Sequence, residues 1–448
     1  MKTAVCERER GRIREVASLL YAASRPLRVL GAIAWDPEVK EHFLAGGGRE
    51  LPQVAYPAFD PTPSIEAVRE ARRRTVPVTT IDLWLDRQGE AIEQGARMLA
   101  AAGTPAFFEH GRRLYGEPTA PLRYAPVSPL DLAQRVIGTI EQLDHIELSI
   151  APAAYRTAEE VAVDLDREVR AHFGAAAPRI ELVDRLSANA LATAKAIRVR
   201  RGARFTDRDF VQLLHHEAYI HVATSLNGKA QTDLPILAAG HPGTTRTQEG
   251  LAVFAELIGG AIELDRFRRL AERVLAIQMA IEGADFLDVY RWFLGRIGDP
   301  DQAYECARRV FRGGVLTGGS PFAKDLVYLL GLLQVNYFIQ ATFAAGRADC
   351  MSLLFCGKLD IYDIPALCEL YELGLCRPPR FLPPWVADPR HLLARLTFAT
   401  FAGGPSLEPL IGAAVRLLDS APVVRMPDPG ECDPGPADDR TGGERAVL

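Results

Sequence analysis

Cysteine is scarce and unpatterned in this chain of 448 residues. Its seven cysteines, Cys6, Cys306, Cys350, Cys356, Cys368, Cys376 and Cys432, are odd in number and form no C-x-x-C. Neither a disulfide framework nor a thiolate zinc site is indicated, and a reducing cytoplasm is the expected compartment. An excess of positive charge is missing too. The 52 Lys and Arg stand against 57 Asp and Glu, a formal charge of -5, which leaves no general basic field for a nucleic-acid partner. The clusters Arg72-Arg73-Arg74 and Arg198 to Arg201 read as solvated helix and strand faces. Met1 to Leu20 carries Glu and Arg throughout and lacks the apolar run of a signal peptide. Leu326 to Ala345 alone approaches membrane-spanning length, but Gln334, Asn336 and Gln340 interrupt it, so a buried helix is expected and no membrane partner. No internal repeat is visible, and oligomeric state is left open.

Histidine is also rare, with 9 in the chain, and two of them fall in His216-Glu217-Ala218-Tyr219-Ile220-His221. Composition alone would produce H-E-x-x-x-H about 0.01 times in such a chain. A histidine pair in an apolar stretch such as Phe210 to His216 is often a satisfied core pair, so the motif needs a second signal. Thr247-Gln248-Glu249-Gly250-Leu251-Ala252 supplies it. Thr247 reads as the cap of an apolar helix, which puts Glu249 in the first turn, where the helix dipole favours a carboxylate. Catalytic zinc keeps three protein ligands and an open fourth position. The expected ligands are His216, His221 and Glu249, with Glu217 as the general base and the loop residue His241 as a fallback ligand read as surface-exposed.

Spacing constrains the local backbone. The commoner H-E-x-x-H puts both rings about 40° apart on a regular helix, whereas five residues carry the second to about 140°. A locally unwound or π-bulged segment at Ala218 to Ile220 is therefore expected.

The two motifs together resemble the bacterial protein family named for its QEGLA motif, related to the eukaryotic microtubule-associated tyrosine carboxypeptidases. A third block extends the likeness: Arg309-Val310-Phe311-Arg312-Gly313-Gly314, then Gly318-Gly319-Ser320-Pro321-Phe322-Ala323-Lys324-Asp325-Leu326-Val327-Tyr328-Leu329. The resemblance implies a zinc metallocarboxypeptidase acting on a peptide or protein C-terminus. Val222 to Gly228 departs from the bulkier, more polar sequence of the eukaryotic members, so their preference for a terminal tyrosine does not carry over. Within the third block Tyr328, Arg312 and Lys324 are candidates to steady an oxyanion, and Arg312 and Lys324 to receive a substrate carboxylate. Lys324-Asp325 also reads as a cap or ion pair at a helix start. Two other functions stay open. One is a regulatory or binding protein with a non-catalytic zinc site, which the family's association with flavohemoglobin expression suggests; the other is a dipeptidyl peptidase, since one type of zinc dipeptidyl peptidase shares H-E-x-x-x-H.

Around these motifs the pattern is α+β and predominantly helical, with a two-lobed zincin-like domain and a small sheet beside the zinc cleft. Residues 1–24 read as an amphipathic helix and 25–420 as the peptidase domain, its first helical lobe ending near 150 and its catalytic core spanning about 151–345. Residues 421–448, rich in Gly, Pro and Asp, read as a disordered tail. Helical spacing recurs at Ile81 to Ala102, Leu130 to Leu143 and Ala158 to Phe173. Leu27 to Leu30 reads as a short strand or extended entry. Ile180 to Val183 and Ala194 to Val199 read as strands, whose edge could pair with a substrate backbone. Thr206 is expected to cap the histidine helix, and 231–246 to form a loop.

Overall fold

The computed structural model describes residues 2–76, 78–122, 125–143, 155–184, 186 and 189–402, so the tail expected over 421–448 lies outside the described residues. Helices dominate. Lys2–Ser24, Thr80–Ala100, Pro129–Glu141 and Ala158–Phe173 fall where the apolar spacing puts them. Thr79 caps the second by accepting from the Asp82 N–H, and Thr157 forms a reciprocal capping box with Glu160 in the fourth. Leu27 to Leu30 is no strand. Past Pro26 the chain turns through bonds from Leu27 N to Ser24 O and from Arg28 N to Pro26 O, and Val29–Ala32 closes as a single helical turn.

Among the described residues five short strands precede the histidine helix: β1 Arg156–Thr157, β2 Arg179–Val183, β3 Ala190–Ala192, β4 Ala196–Arg200 and β5 Arg204–Phe205. β1 pairs with β5, and the other three form a sheet in the order β2-β4-β3, the first pair parallel and the second antiparallel. The expected strand from Ala194 begins two residues late because Thr193 Oγ1 accepts from the N–H groups of Lys195 and Ala196, making the β3–β4 turn. β3 has one free edge. Asn189 and Thr193 carry ladder bonds to β4, which turns the N–H of Ala192 the other way.

Two hydrophobic cores result. The large one unites Val16 and Leu20 of the first helix with Trp84, Phe107, Phe286, Phe311 and Leu251 to Ala255. The small one packs Val161, Leu165 and Val169 against Ile197, Val199 and Phe205, and against Ala218, Tyr219 and Val222. The apolar helix Leu326–Ala344 lies in the large core, its residues 326–332 buried. It crosses Thr245–Ile258 at backbone contact: a Cβ on Gly250 would lie 2.4 Å from the Gly331 carbonyl carbon. Only glycine allows that approach. It brings the start of the long helix, with Lys324 just before it, against Glu249.

Candidate metal site and cleft

Thr206 caps Asp207–Leu213 as expected, accepting from Asp209 N while the Asp209 carboxylate accepts from Thr206 N. The chain then passes into a π-helix over Leu214–Val222 before resuming as an α-helix at Ala223–Lys229. The expected widening is there, but it covers nine residues rather than three. Its effect is the one the five-residue spacing requires. The rings of His216 and His221 come to 4.9 Å between centroids at 79°, and their Nε2 atoms stand 3.8 and 3.9 Å from Glu249 Oε2. Ligand atoms of the three residues lie within 4.8 Å of one another, a group that can hold a metal ion.

Two of the three residues have a hydrogen-bonded support, His216 from Glu256 and Glu249 from Lys324. Glu256, fully buried, accepts from His216 Nδ1 at 2.7 Å and is gripped from the other side by Arg266 Nε and an Nη, both at 3.0 Å. Burial would raise the Glu256 carboxyl, but Arg266 and His216 outweigh it and bring it down to about 2. An ionised Glu256 holds a proton on His216 Nδ1 and turns Nε2 toward Glu249; against the ring's burial, Glu256, Glu217 and Glu249 raise its pKa. Burial, reinforced by the neighbouring His216, pushes His221 down to about 3, so its ring is neutral and able to ligate. Glu249 is held well below the usual carboxylate range despite burial, chiefly by Lys324, whose Nζ donates to Oε1 at 2.9 Å.

Thr247 does not cap this helix. Thr245–Ile258 starts two residues earlier, so Glu249 sits in the second turn and Lys324, rather than the helix dipole, supplies its main compensation. Thr247 instead donates to Asp360 and accepts from Ile361 N, tying the helix to a distant turn. His241 is not on the surface. It is 3% exposed in the loop before that helix, both ring nitrogens lack hydrogen-bond partners among the described residues, and it stands outside the ligand group.

Glu217 is half-buried beside His216, His221 and Glu249 and accepts from Ala192 N on the outer edge of β3 at 3.0 Å. Burial raises its pKa, with His216 pulling against and Glu249 adding to the rise, which is the direction a general base needs. Tyr328 OH receives Lys324 Nζ at 3.1 Å and Arg309 at 3.3 Å. Lys324 is thus engaged with Glu249 and Tyr328, while Arg312 is 6% exposed and faces the Phe322 ring at 5.9 Å. Asp325 makes the ion pair suggested for a helix start, taking Arg309 at 2.6 and 2.9 Å.

A cleft of about 990 Å³ opens beside His216 and Glu217, lined among others by Ala190, Arg273, Arg309 and Tyr328; His221, Glu249, Arg312 and Lys324 are not in its lining. Glu256, Arg266, Arg273 and the Ala192 N–H escaped the sequence reading. Glu256 alone had a signal, since it follows Glu249 by seven residues, two turns along one helix face. Compared with known proteins, residues 41–404 match the family described as microtubule-associated tyrosine carboxypeptidase, a span that includes every residue of the site. No curated protein matches the chain.

Proposed function

Because the chain belongs to the microtubule-associated tyrosine carboxypeptidase family, which implies carboxypeptidase-like peptidase activity, we propose that it is a zinc-dependent carboxypeptidase with a two-lobed, zincin-like domain. The observation that carries this reading is the three-donor group His216, His221 and Glu249 with Glu217 beside it in the cleft lining. Two imidazoles and one carboxylate suit zinc, and three ligands rather than four favour a catalytic over a purely structural site. Bound there, zinc would supply Lewis acidity that makes a water nucleophilic at neutral pH and polarises a carbonyl.

Glu217 takes a proton from the attacking water and returns it to the departing amine. The Ala192 N–H fixes the carboxylate oxygen that is not needed for the transfer. Tyr328, its hydroxyl polarised by Lys324 and Arg309, is the donor offered to the developing oxyanion. Lys324 acts through Glu249, and Glu256 through His216, as groups that orient ligands. The outward edge of β3 at Ala190 lines the cleft and suits an extended substrate backbone. The substrate is the C-terminus of a peptide or protein in the cytoplasm.

The test is hydrolysis of a mixed-sequence peptide set, supplied as free acids and as amides, followed by mass spectrometry. Zinc-loaded wild type is expected to remove C-terminal residues from the acids, and Glu217→Gln to lose that activity while keeping its metal and fold. Near-normal turnover by Glu217→Gln, or cleavage confined to internal or N-terminal bonds, contradicts the reading.

A further inference from the structure

Lys324, Arg266 and Arg309 each hold a carboxylate by hydrogen bond beside the cleft, and Arg273 next to them does not. Lys324 donates to Glu249 at 2.9 Å, Arg266 forks onto Glu256 at 3.0 Å twice, and Arg309 forks onto Asp325 at 2.6 and 2.9 Å. Arg273, from the helix Leu264–Ile281, has only a longer ion pair, shared with Arg309. Its nearest carboxylate oxygen, on Asp325, is 3.6 Å from Nε, beyond a hydrogen bond and already held by Arg309. Its Nε makes no hydrogen bond among the described residues. The guanidinium lies 5.1 Å over the Tyr328 ring, which orients its plane, and the side chain keeps 15% exposure into the cleft that also holds His216 and Glu217. Burial together with Arg309 and Arg266 lowers its pKa to about 10, the direction expected of a cation awaiting an anion.

A buried donor left unsatisfied is costly, and a planar fork facing a cleft is best matched by a carboxylate. We propose that Arg273 is the anchor for the substrate's terminal α-carboxylate, setting the peptide in the cleft C-terminus first with its last peptide bond toward Glu217. This rests on the carboxypeptidase reading. Arg312 and Arg200 are competing cations, since each also has Nε unpartnered, but Arg312 lies outside the cleft lining and Arg200 donates from an Nη to the Asn189 side chain.

Binding separates the alternatives without turnover. Zinc-loaded Glu217→Gln protein is titrated by calorimetry with N-acetylated tripeptides, each as free acid and as amide. Acids are expected to bind about ten- to a hundredfold tighter than amides, the range of a charge-assisted hydrogen bond. Adding Arg273→Gln should bring acids down to the level of amides without changing the amides, and Arg273→Lys, which keeps charge and loses the fork, should fall between. If Arg273→Gln does not fold, Arg273→Lys reads the same ratio. A folded Arg273 variant with the full acid preference, or loss of that preference in Arg312→Gln alone, overturns the assignment and leaves the carboxypeptidase reading standing. Equal binding of acids and amides by the starting protein removes that reading, and Arg273 as anchor with it.

Discussion

The large hydrophobic core brings Glu249, Glu256, Lys324 and Tyr328 to the site on helices packed so closely that Gly250 meets Gly331, whereas the small core reaches it through the edge of β3 and one face of the π-helix. On the helical side every carboxylate has a fixed cation. On the sheet side one backbone hydrogen bond, from Ala192 to Glu217, makes the contact. On the proposed reading the difference assigns tasks: metal geometry and charge balance would rest on the packed helices, while the base would be steadied by a strand edge at which substrate can also arrive. The π-helix joins the two, with Ile220 in the large core and Ala218, Tyr219 and Val222 in the small.

The sharpest break should come on the helical side. Asp325→Asn leaves the half-buried Arg309 without its counter-charge, and losing one partner of a buried pair costs up to roughly 3–5 kcal/mol, read as a fall in the denaturant midpoint. Burial would raise the Asp325 carboxyl, but Arg309, Arg273 and Lys324 outweigh it and hold it well below the usual range. A depressed folded-state pKa gives stability that is present above the unfolded carboxylate range, near pH 4, and is lost as pH falls below it. Wild-type stability should therefore drop in that acid window, and Asp325→Asn should show a shallower drop.

Glu256→Ala tests the buttress rather than the ligand. Zinc affinity should fall about ten- to a hundredfold because His216 loses the partner that sets its tautomer, measured by competition with a chelator. On the sheet side the effect should be smaller and of another kind. Ala192→Pro removes the N–H that Glu217 accepts, at an edge position whose N–H serves no ladder bond, so kcat should fall about tenfold with zinc affinity unchanged. Equal losses of metal from Glu256→Ala and Ala192→Pro would erase the division between the two sides.

Much of this site was legible before the structure because it is local. The five-residue spacing of His216 and His221 demanded a widened helix, and Glu249 lay in a recognisable block. The extent of the π-helix was not legible, since its nine residues are set by packing on two cores at once. Thr247 looked like a cap because threonine before an apolar run is the local signature, yet Thr244 and Thr245 already begin the helix and Thr247 is spent on a contact with residues 360 and 361. Arg273 had no local pattern at all. Its weaker pairing emerges only when Arg266, Arg309 and Lys324 are each matched to a carboxylate across separate elements. Lys324, grouped by the sequence with Arg312 as a substrate contact, is committed to Glu249 for the same reason.

The central claim is a metal site built from one π-helix and one neighbouring helix, and zinc stoichiometry tests it most directly. Purified wild type and Glu217→Gln should each hold one zinc per chain by elemental analysis, while His221→Ala and Glu249→Ala, shown to be folded, should lose nearly all of it. Full zinc occupancy in both of those variants would contradict the account.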